Sequence, residues 1–372
     1  LHSTLKAREL KPDNPPAHMN LGLIYKDLAQ LDQALAATLK SLELNPDNPD
    51  ALLNLGGIYK DLDQLNEALA STLKSLELKP DNPTAYTNLG IIYKNLGQLN
   101  KALASTLKAL ELNPQNPTNH MNLGGIYKDL GQLDHALTST LKSLELNPDN
   151  SDALFNLGGI YKALGQLDHA LESTLKSLKL KPNNHDAHLN LGGIYKDLGQ
   201  LDHALASTLK SLELKPDNPD GHMNLGQIYK ELGQLDNALA STLKSLKLKP
   251  ENPDAHLNLG IIYKDRGQLN QALASTLKSL ELKPNNPDAN LNLGGIYKDL
   301  GQLDQALAST LKSLDLNPDN PTAHMNLGGI YQVLGHTDEA ITSTLKSLDL
   351  NPDNNILALN NLTKFLQAAE RK

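Results

Sequence analysis

The chain has no cysteine and no tryptophan among its 372 residues. Without cysteine there can be no disulfide, thiolate metal site or cysteine nucleophile, although the redox compartment stays open. A basic excess is also missing, because the formal charge is −8. A surface that tracks phosphates carries surplus lysine and arginine, so no nucleic-acid partner is expected. No apolar run approaches the roughly 20 residues that span a bilayer, so no membrane partner is expected and the chain reads as soluble and cytoplasmic. Phosphate loops, metalloprotease helices and nucleophile elbows do not occur either.

What is present is a period. Tyr25, Tyr59, Tyr93, Tyr127, Tyr161, Tyr195, Tyr229, Tyr263, Tyr297 and Tyr331 are spaced by 34 residues, and the prolines from Pro46 to Pro352 keep the same step. Ten consecutive units fill residues 15–354. Counted from Pro15 in the first unit and Pro49 in the second, every unit has Gly at position 8, Tyr at 11, Ala at 20 and Pro at 32. A chain of this length would otherwise suggest two or three domains, but an unbroken period implies one elongated array whose units stack on their neighbours. Catalysis needs a unique constellation, which near-identical repeats do not supply, so neither enzymatic activity nor a cofactor is expected.

Within the second unit, Asn48 before Pro49 and Asp50 reads as an N-cap, a proline at the first helical position and an acid favoured by the helix dipole. Apolar residues at Ala51, Leu55, Ile58, Tyr59 and Leu62 then recur at helical spacing. Gly at position 15 in most units, such as Gly97 and Gly131, suits a left-handed helix end. Asp or Asn at position 18, here Asn66, is expected to cap a second helix with the apolar face Ala68, Leu69, Leu73, Leu76 and Leu78.

A 34-residue helical hairpin with Leu-Gly-x-x-Tyr, Ala at 20 and Pro at 32 resembles the tetratricopeptide repeat, over about 340 residues of the chain. That resemblance implies an all-α, right-handed superhelical α-solenoid of ten hairpins whose first helices line a concave groove for protein ligands. Two positions depart from the family pattern. Position 4, where the family pattern has an aromatic, is His, Leu or Asn with Tyr only at Tyr86, and position 24 is always Thr, from Thr38 to Thr344. The threonine hydroxyl can bond back to the carbonyl four residues earlier. Leu at positions 21, 25 and 28 is then expected to replace the roughly 150–250 Å² that an aromatic would bury.

The arc of the first helix opposite its apolar face carries the candidate peptide-binding residues. Position 6 is always Asn: Asn20, Asn54, Asn88, Asn122, Asn156, Asn190, Asn224, Asn258, Asn292 and Asn326. Position 12 is Lys in nine units: Lys26, Lys60, Lys94, Lys128, Lys162, Lys196, Lys230, Lys264 and Lys298. Asn is a mediocre helix former, and position 9 is often a second Gly, such as Gly57 or Gly125, which opens space beside it. An amide donates and accepts at once, so it pairs with a peptide backbone whatever side chains the peptide carries. Such a ladder resembles the repeat arm of O-linked N-acetylglucosaminyl transferase. The alternative is that each Asn bonds to the adjacent repeat and fixes the stacking, with duplication having copied it. Lys at 12 beside an acid at 13 reads more simply as a charge-balanced lattice. Met or Leu at position 5, interrupted by Thr87, suits either ligand side chains or packing across repeats.

The histidines at position 4 lie too far apart to share one ion, so no metal is expected, and His185 with His188 is the only local pair. The carboxylate clamp that grips chaperone tails is absent, because position 5 is never Lys and position 9 never Asn. Residues 1–10 match the second half of a unit, so residues 1–14 read as the remnant of a preceding repeat and the chain as a piece of a longer protein. Their apolar face would allow end-to-end self-association. Residues 355–372 read as a solvating C-terminal capping helix. The expected function is a scaffold that binds extended peptides. The alternative is the substrate-recognition arm of a larger glycosyltransferase or sulfotransferase.

Overall fold

The computed structural model describes residues 13–352 and 359–363. The expected N-terminal remnant and its self-association face therefore lie outside the described residues, as does most of the expected capping helix. The fold is all-α. First helices are α1 (Pro15–Asp27), α3 (Pro49–Asp61), α5 (Pro83–Asn95), α7 (Pro117–Asp129), α9 (Ser151–Ala163), α11 (His185–Asp197), α13 (Pro219–Glu231), α15 (Pro253–Asp265), α17 (Pro287–Asp299) and α19 (Pro321–Leu334). Their partners are α2 (Leu31–Leu44), α4 (Leu65–Leu78), α6 (Leu99–Leu112), α8 (Leu133–Leu146), α10 (Leu167–Leu180), α12 (Leu201–Leu214), α14 (Leu235–Leu248), α16 (Leu269–Leu282), α18 (Leu303–Leu316) and α20 (Thr337–Leu350). These helices form two compact halves, Leu1–Pro182 and Asn183–Lys372.

The first helices begin as the sequence predicts. Asn48 Oδ1 accepts from the amides of Asp50 and Ala51 at 3.1 and 3.2 Å, and the equivalent Asn caps each of the other first helices. They end in a left-handed residue at position 15, glycine in eight repeats, with Ala29 (φ 56°) and Asp63 (φ 59°) in the other two. The amide of position 16 then bonds to the carbonyl of position 11, and that of position 15 to position 12, as in Gln98 to Tyr93 (2.8 Å) and Gly97 to Lys94 (3.0 Å). This is a Schellman closure.

That closure corrects the expected second cap. The second helices start at position 17, their N-cap is Gln at position 16 in nine repeats and His336 in the last, and no cap side chain bonds there. The Schellman bonds turn the chain so tightly that helix resumes before position 18. Asp32, Asp134 and Asp202 thus lie inside the first turn, where they complement the dipole instead of capping it.

The expected apolar face of the second helix is corrected as well. Leu at position 25 is exposed in all ten repeats, from 38% at Leu73 to 49% at Leu345, and Leu78 is exposed too. The buried line runs instead through repeat positions 20, 24 and 27, which in the second repeat are Ala68, Thr72 and Ser75, all at 0%. Small residues face inward because the two helices of a hairpin nearly touch. A Cβ built on Gly56 would lie 2.3 Å from Thr72 Oγ1, and every glycine at position 8 meets the threonine of its own repeat at 2.1–2.4 Å. Thr72 and Thr344 donate to the carbonyls of Ala68 and Ala340 at 2.7 and 2.8 Å. Ser75 Oγ donates to the Pro49 carbonyl at 2.7 Å, which ties the second helix to the start of the first.

The larger apolar residues fill the seam between repeats. In one such cluster, Leu76 packs with Ala85 and Leu89 of the next repeat, bordered by Leu53, Leu69, Tyr86 and Tyr93. Leu at positions 21 and 28 therefore joins the core, whereas Leu at position 25 does not. Position-4 histidines close the inter-repeat loop. His120, His222, His256 and His324 donate Nε2–H to the carbonyl of the preceding position-32 proline at 2.8–2.9 Å. Among the described residues no group of three or more His, Cys, Asp or Glu could hold a metal ion, and no helix is long and apolar enough to cross a membrane.

Replacing Gly56 by Ala should cost about 1–3 kcal/mol by overpacking, despite the better helix propensity of alanine. Urea denaturation would measure this, and an unchanged midpoint would refute the close-approach account.

Candidate functional site

The candidate site is the solvent-facing side of the first helices, built from positions 2, 5, 6, 9, 12 and 13. In the second half of the chain those positions from successive repeats line a cleft of about 400 Å³, with Met223, Gln227, Glu231, Leu257, Asn258 and Asp288 among its walls. The arc assigned from helical spacing is thus one continuous lining there.

Lysines at position 12 reach forward by one repeat. Lys26 pairs with Asp61 at 3.5 Å, Lys94 with Asp129 at 3.3 Å and Lys264 with Asp299 at 3.7 Å. Each ammonium crosses above the position-9 glycine of the receiving repeat. A Cβ on Gly57 would stand 2.7 Å from Lys26 Nζ, on Gly125 3.0 Å from Lys94 Nζ, and on Gly295 2.7 Å from Lys264 Nζ. Where position 9 carries a side chain the forward pair is missing. Gln227 Oε1 accepts from Lys196 at 2.8 Å, whereas Lys60 pairs with Asp61 of its own repeat at 3.4 Å because position 13 ahead of it is Asn95 and offers no carboxylate. Lys128 and Lys298 lie above Gly159 and Gly329, but position 13 there is Ala163 or Val333 and offers no carboxylate. Lys230 lines the cleft, and Lys162 has a partner. The pairs are partly exposed, so each contributes about 0–1 kcal/mol. The lattice reading of the charges is therefore what the geometry displays.

Position 9 also sorts the asparagines. Asn54, Asn258 and Asn292 turn inward, and each donates Nδ2 to the threonine of the preceding repeat: Thr38 at 3.1 Å, Thr242 at 2.9 Å and Thr276 at 2.9 Å. The residues at position 9 of those preceding repeats are Leu23, Gln227 and Ile261. Asn88 and Asn156 instead place Nδ2 within 3.9 and 3.8 Å of a Cβ built on Gly57 and Gly125, out on the open face. Thr140, Thr208 and Thr310, which precede Asn156, Asn224 and Asn326, have no partner at Oγ1. Thr106 is also without one although Ile91 precedes Asn122, so a position-9 side chain favours the inward state without enforcing it. Asn20 is exposed, Asn122, Asn224 and Asn326 are half-buried, and Asn190 has a partner. The space at Gly57 and Gly125 thus serves both the preceding Lys and the following Asn.

Inward asparagines have a fixed polarity. Nδ2 is the donor in all three, so each threonine accepts and each Oδ1 is left to other partners. Asn54 Oδ1 is enclosed without a partner. Asn258 is 4% exposed and lines the cleft.

Position 5 works across the seam. Leu53 and Leu291 pack against the next repeat, and the sulfurs of Met19, Met121 and Met223 meet the cap amides of Asn48, Asn150 and Asn252 at 3.8–3.9 Å. Thr87 is matched in the next repeat by Asn119, where other repeats have Ala or Gly, and the two are joined at 2.7 Å. Four of the varied residues at position 19 contact the tyrosine at position 11. The rings of His135, His169 and His203 lie tilted against those of Tyr127, Tyr161 and Tyr195 at 5.1 Å between centroids, and Lys101 Nζ lies 5.4 Å from the Tyr93 ring centroid. The perturbed ionisations lie on the second helices, away from this face. A hydrogen bond to Glu111 raises Lys108, and one from Lys176 lowers Glu172.

Replacing Gly57 by Ala should stabilise the chain by about 0.5 kcal/mol, because helix propensity gains more than a surface pair loses and the Lys26 tip can move. A loss above about 1 kcal/mol in urea denaturation would instead make Gly57 a packing glycine like Gly56.

Comparison with known proteins agrees with this anatomy. No curated protein matches the chain. A solved chain from the "APC/C hetero-tetramer Cut9-Hcn1" is similar in fold, with TM-score 0.63 at 16% identity over 98% of this chain and 92% of that one. Profiles described as "TPR repeat" match residues 56–97 and, in overlapping segments, 158–335. Others described as "Tetratricopeptide repeat" match 15–48, 83–116, 37–70, 140–172, 118–150 and 321–354. The chain belongs to the tetratricopeptide-repeat family.

Proposed function

We propose that this chain is a non-catalytic protein-interaction scaffold that holds extended peptide segments along the open face of its first helices. The observation that carries the reading is the outward placement of Asn88 and Asn156 above Gly57 and Gly125. An amide beside a glycine backbone, where only the tip of a flexible lysine shares the space, can pair with a peptide group once that tip swings aside. Stacked helices lie about 8–10 Å apart and an extended chain advances about 3.3 Å per residue. One rung would then meet roughly every third residue of the ligand.

Inward asparagines modify this role. Asn258, which lines the cleft, combines stacking with an acceptor and so suits a ligand N–H, whereas Asn54 Oδ1 is enclosed and the outward amides can serve either peptide group. The half-buried Met and Leu at position 5 give apolar footing beside them. A repeat face of this kind suits multivalent and sequence-tolerant binding. The solved chain of similar fold comes from a hetero-tetramer, and holding protein partners would fit that precedent.

Peptides selected from a random display library provide the test. Converting Asn88 and Asn156 together to Ala should weaken unrelated selected peptides that bind the first half of the chain, by about fivefold per amide, with unchanged thermal unfolding. Unchanged affinity would refute a main-chain role for the outward asparagines.

A further inference from the structure

We propose that the cleft lined by α11, α13, α15 and α17 is a subsite for one basic side chain, arginine or lysine, of the bound segment. This deepens the scaffold reading and rests on it.

The lysine lattice is interrupted at this cleft. Gln227 and Ile261 replace glycine at position 9 in consecutive repeats. Gln227 takes the Lys196 ammonium at 2.8 Å. Glu231, which stands where Asp61, Asp129 and Asp299 receive their lysines, is therefore left without an ion pair among the described residues. Asp254 and Asp288 line the same cleft from position 2 of the next two repeats. In the first half of the chain, acids at that position are neutralised by a lysine at position 31: Asp50 by Lys79 at 3.7 Å and Asp152 by Lys181 at 2.9 Å. Neither Asp254 nor Asp288 has such a pair among the described residues; position 31 is Lys283 in the repeat of Asp254 and Asn317 in that of Asp288. Both sit in the first turn of a helix, where the dipole favours the ionised carboxylate.

A second observation points the same way. Asn258 is only 4% exposed, its Nδ2 is committed to Thr242, and it lines the cleft. It therefore offers an acceptor at Oδ1. Three carboxylates and an amide carbonyl ask for a donor-rich cation, and Met223, Leu257 and Ile261 supply an apolar wall for its aliphatic stem. Lys196 and Lys230, each at position 12 of its helix, also line the cleft and disfavour a second cation beside the bound one.

The test uses the full chain and fluorescein-labelled peptides of alternating alanine and serine, identical except for a central arginine, lysine, norleucine or glutamate. The arginine and lysine peptides should bind about tenfold tighter than the norleucine peptide, the scale of one charge-assisted hydrogen bond. The glutamate peptide should bind most weakly. In Asp254→Asn/Asp288→Asn the arginine-to-norleucine ratio should fall towards one, while Glu213→Gln on the outer helix α12 should leave it as in the unmodified chain. Circular dichroism melts would establish that the variants are folded. Equal binding of all four peptides, or a ratio that survives the double substitution, overturns the subsite while leaving the scaffold reading intact. Binding by none of them overturns both.

Discussion

In every repeat the glycine at position 8 lies against the threonine hydroxyl at position 24, with no room for a single methyl group between them. That approach places alanine, threonine and serine in the hairpin interface, where bulkier residues would force the helices apart. The large side chains are displaced from the hairpin to the seam between repeats, or, at position 25, out to solvent. It also puts a hydroxyl within reach of the next repeat, where an asparagine can find it. Stacking, amide orientation and the open face all descend from the one contact.

Position 9 then decides what the open face looks like. Glycine there lets the preceding lysine cross to the next carboxylate and lets the following asparagine swing outward. At Gln227 the side chain itself takes the lysine, and in three of the four repeats with a side chain at position 9 the next asparagine turns in onto threonine. One small residue thus alternates the face between a neutralised lattice with outward amides and a cleft with unpaired charges. Nearly identical repeats acquire different local chemistry without altering their backbone.

Much of this was legible from the residues. The Asn N-caps and the left-handed residue at position 15 follow from local stereochemistry and spacing, whereas the expected threonine back-bond is made by Thr72 and Thr344 and missing at Thr106, Thr140, Thr208 and Thr310. The second helix was less so. A period of 3.6 fits both Leu69–Leu73–Leu76 and Ala68–Thr72–Ser75, and hydrophobicity favoured the leucines. The actual choice turned on helix separation, which no single helix encodes. Likewise Asp at position 18 has the chemistry of a cap, but the Schellman closure starts the helix one residue too early for it.

By itself the sequence determined the number of repeats, their helices, their turns and the residue types on each face, because these depend on interactions within a few positions. Tertiary structure decided which face of the second helix is buried, which asparagines are committed to threonine, and where the lysine lattice breaks into a cleft. Those outcomes depend on distances of a few ångströms between residues 16, 31 or 35 positions apart, such as Asn258 and Thr242, Lys196 and Gln227, or Lys26 and Asp61. Periodicity identifies such residues as neighbours, but only the packed helices fix which of them touch.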